Sequence, residues 1–372
     1  MRIWALAVAA IACAVPIFAA KAEDTVQRIV CNEIFTLLPN GEPGGIQVAV
    51  SINGRTSFFS HGFADGSDQK LVTPDSLFNI ASLRKPFEAT VLADAVLRGN
   101  ISLDDPVTKY LPELRDGRDI TRVTVGQLAT HTSGLLLPPD HPPWPTWHYS
   151  LPAFIDALRA WQADPPYEPG ARHMYTHAGY ILLQLVLERA LAGPINQQVS
   201  EVILEPLGMQ SSALPMRRRD GRADLEPALL DRAVQGYGED GSPVGAPGDQ
   251  QTYYDWPGTG QMFSSARDLI VFLDASLGES RAPDRLVRAM AKAQAPAFTI
   301  GVHNAQALAW EIETPGSTAI VEKNGGLNNT SAYMAMMPST RIGIVVLSNR
   351  GGKDVATAGH RALRMLSQTP PQ

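Results

Sequence analysis

A chain of 372 residues, 44% hydrophobic and 18% charged, has the composition of an ordinary globular protein. That length admits two conventional domains, or one large domain carrying an insertion. A formal net charge of −6 excludes a basic nucleic-acid binder, because no cationic excess is available to neutralise phosphates.

The first element in chain order is a targeting segment. Arg2 supplies a positive start, residues 3–18 are apolar, and Ala20-Lys21-Ala22 has the small residues of an A-x-A cleavage site. Residues 1–22 are therefore expected to be a signal peptide, with a secreted or periplasmic mature chain from about Glu23. The apolar run is too short to span a bilayer. A lipid anchor on Cys13 is the rival reading, and Ala10-Ile11-Ala12 lacks the leucine it would need. No later stretch has 18 consecutive apolar residues, so no membrane contact is expected after cleavage. Cys31 is then the single remaining thiol. No intrachain disulfide can form, and stability must come from a large core. Cys31 follows apolar Ile29 and Val30 and is expected to be buried.

Residues 45–52 and 56–63 read as strands joined across Asn53-Gly54, a strong hairpin signal. Residues 85–98 keep Phe87, Val91, Leu92 and Ala95 on one stripe and end before Gly99, which predicts an amphipathic helix. Asp105-Pro106 predicts another helix start. Further helical runs are 125–130, 151–161, 179–191, 265–277 and 284–293. Residues 136–145, with five prolines, and 240–260, rich in Gly, Pro and Asp, read as loops. A second strand pair follows at 331–337 and 342–348, and a last helix at 354–366. Strands at both ends with helices between them predict one sheet assembled from both ends of the chain.

Two S-x-x-K sequences occur. Ser67-Asp68-Gln69-Lys70 lies in a polar, turn-like stretch with no helix after it. Ser82-Leu83-Arg84-Lys85 opens the helix above, where residues three apart share a face and the amine can reach the hydroxyl. A helix start also offers positive potential and free N–H groups to an oxyanion. Pro86 is compatible with a first turn. Serine needs such help, being a poor nucleophile without a base nearby. On its own the pattern equally describes a serine that caps a helix. Two further groups stand out. Tyr175-Thr176-His177 follows the turn Pro169-Gly170, and Lys323-Asn324-Gly325 ends the strand-like run 317–321, ahead of Gly326.

In this order the three groups resemble the S-x-x-K, Y-x-N and K-T-G motifs of serine β-lactamases and penicillin-binding proteins. The tyrosine version is similar to class C β-lactamases and the related carboxypeptidases and esterases. Residues 78–81, 99–111, 128–134, 204–209 and 332–338 also look like class C stretches, so the resemblance runs from about Gly45 to Arg350. It implies an α/β (α+β) fold, an antiparallel sheet flanked by helices plus a largely helical second domain. The α/β part is expected at about 23–85 and 294–372 and the helical part at about 86–293, with the site between them.

The resemblance further implies a hydrolase that opens β-lactams through an acyl-enzyme on Ser82. Lys85 would ease proton transfer. Tyr175 would be base or acid, its phenolate favoured by Lys85 and Lys323. The N–H groups of Ser82 and Gly326 would form an oxyanion hole, and Lys323 would attract the substrate carboxylate. Which of Lys85 and Tyr175 takes the first proton stays open. His177 stands where the family has Asn, and Asn324 where it has Thr or Ser, so the substrate-binding set is His177, Lys323, Asn324, Gly325 and Gly326. The serine mechanism requires no cofactor. His177 is also a candidate pH-sensitive contact and, with His173 four residues before it and His141 and His148 nearby, a candidate Zn²⁺ ligand.

The expected partner of a monomeric enzyme is a β-lactam or a D-Ala-D-Ala-type peptide. Alternatives on the same fold are a D-alanyl-D-alanine carboxypeptidase or a short-chain esterase. A sensor that acylates and does not turn over is the alternative from another class. The absence of H-E-x-x-H, C-x-x-C and G-x-S-x-G leaves zincin, thiol-redox and α/β-hydrolase readings without support. Trp144, Trp147 and Trp256 are expected to pack under loops or line a cleft, and His131 to be a hydrogen-bonded core residue.

Overall fold

The hairpin expected at Asn53-Gly54 forms between β1 (Gly45–Ile52) and β2 (Arg55–Asp65), with φ of +52° and +75° at the two turn residues. Those positive angles suit a two-residue turn between twisted strands. The computed structural model describes residues 17–368 apart from 141–147, 217, 219–221, 251–253, 255–260 and 317, and the backbone alone of 17–23 and 139. Within it β3 (Lys70–Leu71) edges the hairpin. The C-terminal part contributes β6 (Phe298–Thr299), β7 (Asn304–Gln306), β8 (Glu311–Glu313), β9 (Ile320–Leu327), β10 (Thr330–Met337) and β11 (Ile342–Ser348). These nine strands form one antiparallel sheet in the order β3-β2-β1-β11-β10-β9-β8-β7-β6. The last strand inserts beside the first, with Val48 opposite Val346, so both ends of the chain do build one sheet. A separate pair joins β4 (Phe78–Asn79) to β5 (Phe263–Ser264).

Eleven helices flank or bridge the sheet among the described residues. They are α1 (Ile17–Glu33), α2 (Lys85–Leu97), α3 (Val125–Ala129), α4 (Leu151–Ala160), α5 (His177–Leu191), α6 (Ile195–Val199), α7 (Glu205–Leu207), α8 (Pro227–Leu230), α9 (Ala266–Ser276), α10 (Asp284–Gln294) and α11 (Val355–Ser367). Strands β1, β10 and β11 are buried almost throughout because both faces of the sheet are covered. Ile46, Val48, Val50, Ile344 and Val346 pack with Val30 of α1 and Leu363 of α11. The alternate residues Ala49, Val345 and Leu347 face Leu269 and Leu273 of α9.

Several local expectations are corrected. Helix α2 is not amphipathic: every residue from Lys85 to Ala95 is buried, because α5 and α10 pack around it. Its polar residues are paired instead of exposed, Asp94 accepting from Arg285 at 2.7 Å and Glu88 meeting Arg84 at 2.7 Å. Asp105-Pro106 starts only the 3₁₀ turn Val107–Lys109. The Asp105 carboxylate accepts from the Ser102 N–H, Lys109 and the Tyr110 hydroxyl, and so is spent before it can cap a helix. Lys323-Asn324-Gly325 lies inside β9 instead of at a strand end, because pairing with β10 continues to Leu327. Cys31 is a free thiol and only half-buried.

Candidate active site

Ser82 sits in a 3₁₀ turn, Ala81–Arg84, that runs straight into α2. This refines the expectation of an α-helical start. In a 3₁₀ turn the side chains at i and i+3 eclipse, which brings the Lys85 ammonium within 3.1 Å of Ser82 Oγ. Ala81 has φ of +48°, and its N–H is held by Asn79 Oδ1 at 3.0 Å. The other serine in an S-x-x-K sequence is exposed, and Ser67 Oγ bonds only to its neighbour Asp65.

Tyr175 comes from the extended segment ahead of α5. The Met174 N–H donates to the His131 carbonyl at 2.7 Å, and the Thr176 N–H to His131 Nδ1 at 3.3 Å. Thr176 caps α5, its hydroxyl accepting from the Gly179 N–H at 3.1 Å. So placed, the Tyr175 hydroxyl lies 2.6 Å from Ser82 Oγ. The Lys85 and Lys323 ammonium groups stand 5.0 and 4.9 Å from its ring centre, and the His131 ring lies 4.3 Å away.

Lys323 reaches the same place from the sheet. Along β9 Lys323 and Gly325 are buried whereas Asn324 and Gly326 are exposed, the alternation of a strand. A Cβ at Gly325 would stand 2.8 Å from the Ile80 carbonyl and 3.0 Å from the Ser82 nitrogen, so glycine is what lets β9 run this close to the nucleophile turn. Ser82, Lys85, Tyr175 and Lys323 therefore converge. Gly325 backs them, and Asn324 is exposed on the side of the strand that carries Glu322.

The electrostatics alter one expectation. Burial pushes Lys85 down to about 7, with Arg84 adding to the shift and Glu88 and Asp140 opposing it. Burial raises Tyr175 by more than Lys323 and the Ser82 hydrogen bond lower it, so the resting tyrosine is a phenol and not a favoured phenolate. A neutral amine is thus more accessible near neutral pH than a phenolate.

His177 opens α5 and is exposed in the cleft beside these groups. Desolvation, then Lys85 and Lys323, lower its pKa to about 3, which favours the neutral imidazole. The zinc reading gains no support among the described residues. His173 precedes α5 and does not share a helix face with His177. The two lysines would repel a dication. No third His, Cys, Asp or Glu among the described residues joins them within ligating range. The one such group among the described residues is Glu313, Glu322 and His360, on the other side of β9. There the imidazole meets Glu322 through Nδ1 at 2.9 Å and Glu313 through Nε2 at 3.5 Å. His148 is exposed, and His141, Trp144, Trp147 and Trp256 lie outside the described residues. His131 is buried and hydrogen-bonded, as expected. Burial and the two lysines hold it far below its ordinary value and hence neutral.

Three participants have no motif. Glu311 of β8 pairs with Lys323 at 2.5 Å. Glu88, pushed up by burial, pairs with Arg84 directly behind Lys85. Asp140 receives N–H groups from the start of α5. Only strand pairing, helix spacing and loop path bring them in. None of these is written as a local pattern.

The comparisons agree with this geometry. The family model described as Beta-lactamase matches residues 35–367. A β-lactamase of Lysobacter lactamgenus is 27% identical over 82% of this chain and 82% of its own length. The structure of a class C β-lactamase from Rhodobacter sphaeroides superposes with a TM-score of 0.73 at 29% identity, covering 93% of this chain and 97% of that one. A D-alanine carboxypeptidase from Burkholderia cenocepacia gives 0.76 at 25% identity, covering 93% and 99%. With a serine, two lysines and a tyrosine gathered at one point on this fold, the chain belongs to the β-lactamase family and is a serine hydrolase of the class C type.

Proposed function

We propose that the protein hydrolyses β-lactams through an acyl-enzyme on Ser82. The observation that carries this is the contact of Ser82 Oγ with both Lys85 and Tyr175, at 3.1 and 2.6 Å. Lys85, deprotonated above about pH 7, takes the hydroxyl proton as Oγ forms its bond to the lactam carbonyl carbon. The N–H groups of Ser82 and Gly326 receive the oxyanion. Tyr175 gives its proton to the lactam nitrogen as the C–N bond breaks, and the proton on Lys85 restores the phenol. In the second half water adds to the ester carbonyl, its proton passing to neutral Lys85 directly or by relay through the Tyr175 hydroxyl, and that proton returns to Ser82 Oγ as the ester C–O bond breaks. Lys323 draws the substrate carboxylate, which must compete with Glu311 for the ammonium. His177 contacts the substrate as a neutral imidazole. No cofactor enters any step.

The fold is shared with a neighbour named as a D-alanine carboxypeptidase, which supports hydrolysis of a D-Ala-D-Ala peptide as a second reading. Both substrates require an extracytoplasmic enzyme. We accordingly propose that residues 1–22 are an export signal, tested by N-terminal sequencing of the protein recovered from the periplasm. The test of function is turnover of a cephalosporin, a carbapenem, an acyl ester and a D-Ala-D-Ala peptide. Steady cephalosporin turnover supports the proposal, and peptide turnover alone moves the chain to the second reading. A burst equal to the enzyme concentration and no more would make it a sensor.

A further inference from the structure

Asp140 ends the 3₁₀ turn Pro138–Asp140, and no sequence motif includes it. Its Oδ1 accepts the backbone N–H of His177, a short contact, and that of Ala178 at 3.2 Å. Its Oδ2 accepts the Leu137 N–H at 2.9 Å, which fixes the carboxylate to its own turn. Together with the His131 bonds to Met174 and Thr176, these contacts hold the segment that bears Tyr175 on both sides. The tyrosine hydroxyl must stay within hydrogen-bond reach of Ser82, and a displacement of about 1 Å in such a group costs on the order of 10²-fold. An ionised carboxylate at the first turn of a helix is held by charge-assisted bonds and by the helix dipole. Protonation weakens both.

We propose that Asp140 is a positioning residue for the Ser82 reaction, holding the Tyr175–His177 segment when ionised and loosening it when protonated. The inference rests on the reading of Ser82 as nucleophile and Lys85 as base. The groups that face Asp140 are Lys85 on α2, Tyr175 and His177 at the start of α5, Tyr149 ahead of α4, and Tyr254. Burial pushes Asp140 up to about 6, against its three backbone hydrogen bonds and Lys85, so it titrates where acylation is measured. His177 is already neutral there, and the three tyrosines are raised and remain protonated. Two groups, Lys85 and Asp140, must then lose protons for fast acylation.

The experiment measures labelling of the full mature chain by a fluorophosphonate, followed by intact-protein mass from pH 4.5 to 8.5. This readout needs no natural substrate. In the wild type the logarithm of the rate should fall with a slope near two below pH 6. In Asp140→Asn, which keeps an acceptor oxygen but cannot titrate, the slope should be one and the limb should move to lower pH. The same variant, which like the protonated acid lacks the charge, should lose about 10²-fold at pH 8, and Asp140→Ala at least as much, the cost of displacing such a group by about 1 Å. Circular dichroism checks both folds, and the Asn variant decides the matter if the Ala variant unfolds. A slope of one in the wild type, or a slope of two that persists in Asp140→Asn, overturns the inference. No label on Ser82 at any pH would instead overturn the reading of the nucleophile.

Discussion

Strand β9 carries two charged clusters, one on each side, made of similar parts and left in different states. On one side Lys323 meets the Glu311 carboxylate at 2.5 Å, beside the hydroxyls of Tyr175 and Ser82. On the other, Glu322 accepts from the Tyr333 hydroxyl at 2.5 Å and meets His360, whose second nitrogen meets Glu313. The His360 cluster is saturated: each nitrogen of the ring faces a carboxylate, and the arrangement ties α11 to the sheet. The Lys323 cluster is crowded with donors. Among the described residues Glu311 alone makes an ion pair there, with Lys323, while Glu88 and Asp140 act on Lys85 from farther off and burial works against every charge. Reactivity follows from that imbalance, because a buried amine that lacks enough counter-charge is easily deprotonated.

The largest effect expected from breaking the catalytic side is that of Ser82→Ala. It should remove the covalent adduct and lower turnover by about 10³-fold or more, the scale for deleting a nucleophile. Ser67→Ala, the same substitution in the other S-x-x-K sequence, should leave both intact, and peptide mapping of the labelled protein decides between the two serines. Next is Tyr175→Phe, which keeps the ring between the lysines and deletes the hydroxyl. A fall of about 10²-fold in steady turnover is expected, and a near-normal rate would leave both proton transfers to Lys85.

A smaller change sharpens the contrast. Glu311→Gln frees Lys323 from an ion pair whose carboxylate is 43% exposed, so the gain is modest. KM for a carboxylate-bearing substrate should fall by about threefold while kcat and the KM of a neutral ester hold. If both substrates change alike, Lys323 does not read the carboxylate. The smallest effect belongs to the opposite side. Glu322 raises the His360 pKa above its ordinary value, with Glu313 helping and desolvation opposing. The clamp therefore contributes its full stability below about pH 6.5 and loses it as pH rises through the raised value. His360→Gln should cost about 1 kcal/mol at pH 6 and less at pH 9 by thermal unfolding, with catalysis unchanged.

Most of the elements could be read directly from the chain because their signals are local. Asn53-Gly54 can form only a few turns, and the apolar runs of β10 and β11 leave little choice of structure. Misreadings occur where a distant partner decides. Helix α2 looked one-sided until α5 and α10 enclosed it, and β9 looked short until its pairing with β10 extended it. The histidine spacing was misread for a similar reason. A spacing of four residues has meaning on a helix, and His173 lies before the helix begins.

By itself the sequence determined the inventory of the site: Ser82, Lys85, Tyr175 and Lys323, each written in a short local motif. The tertiary structure decided their chemical state. Lys85 is lowered because α2 is buried, Tyr175 is a phenol because burial outweighs Lys323, and His177 is lowered by desolvation and then by the two ammonium groups. Glu311, Asp140 and His131 enter only through a strand pairing, a loop path and a packed ring. A pKa depends on dielectric surroundings and on charges within a few ångströms, and those distances do not exist until the chain has folded.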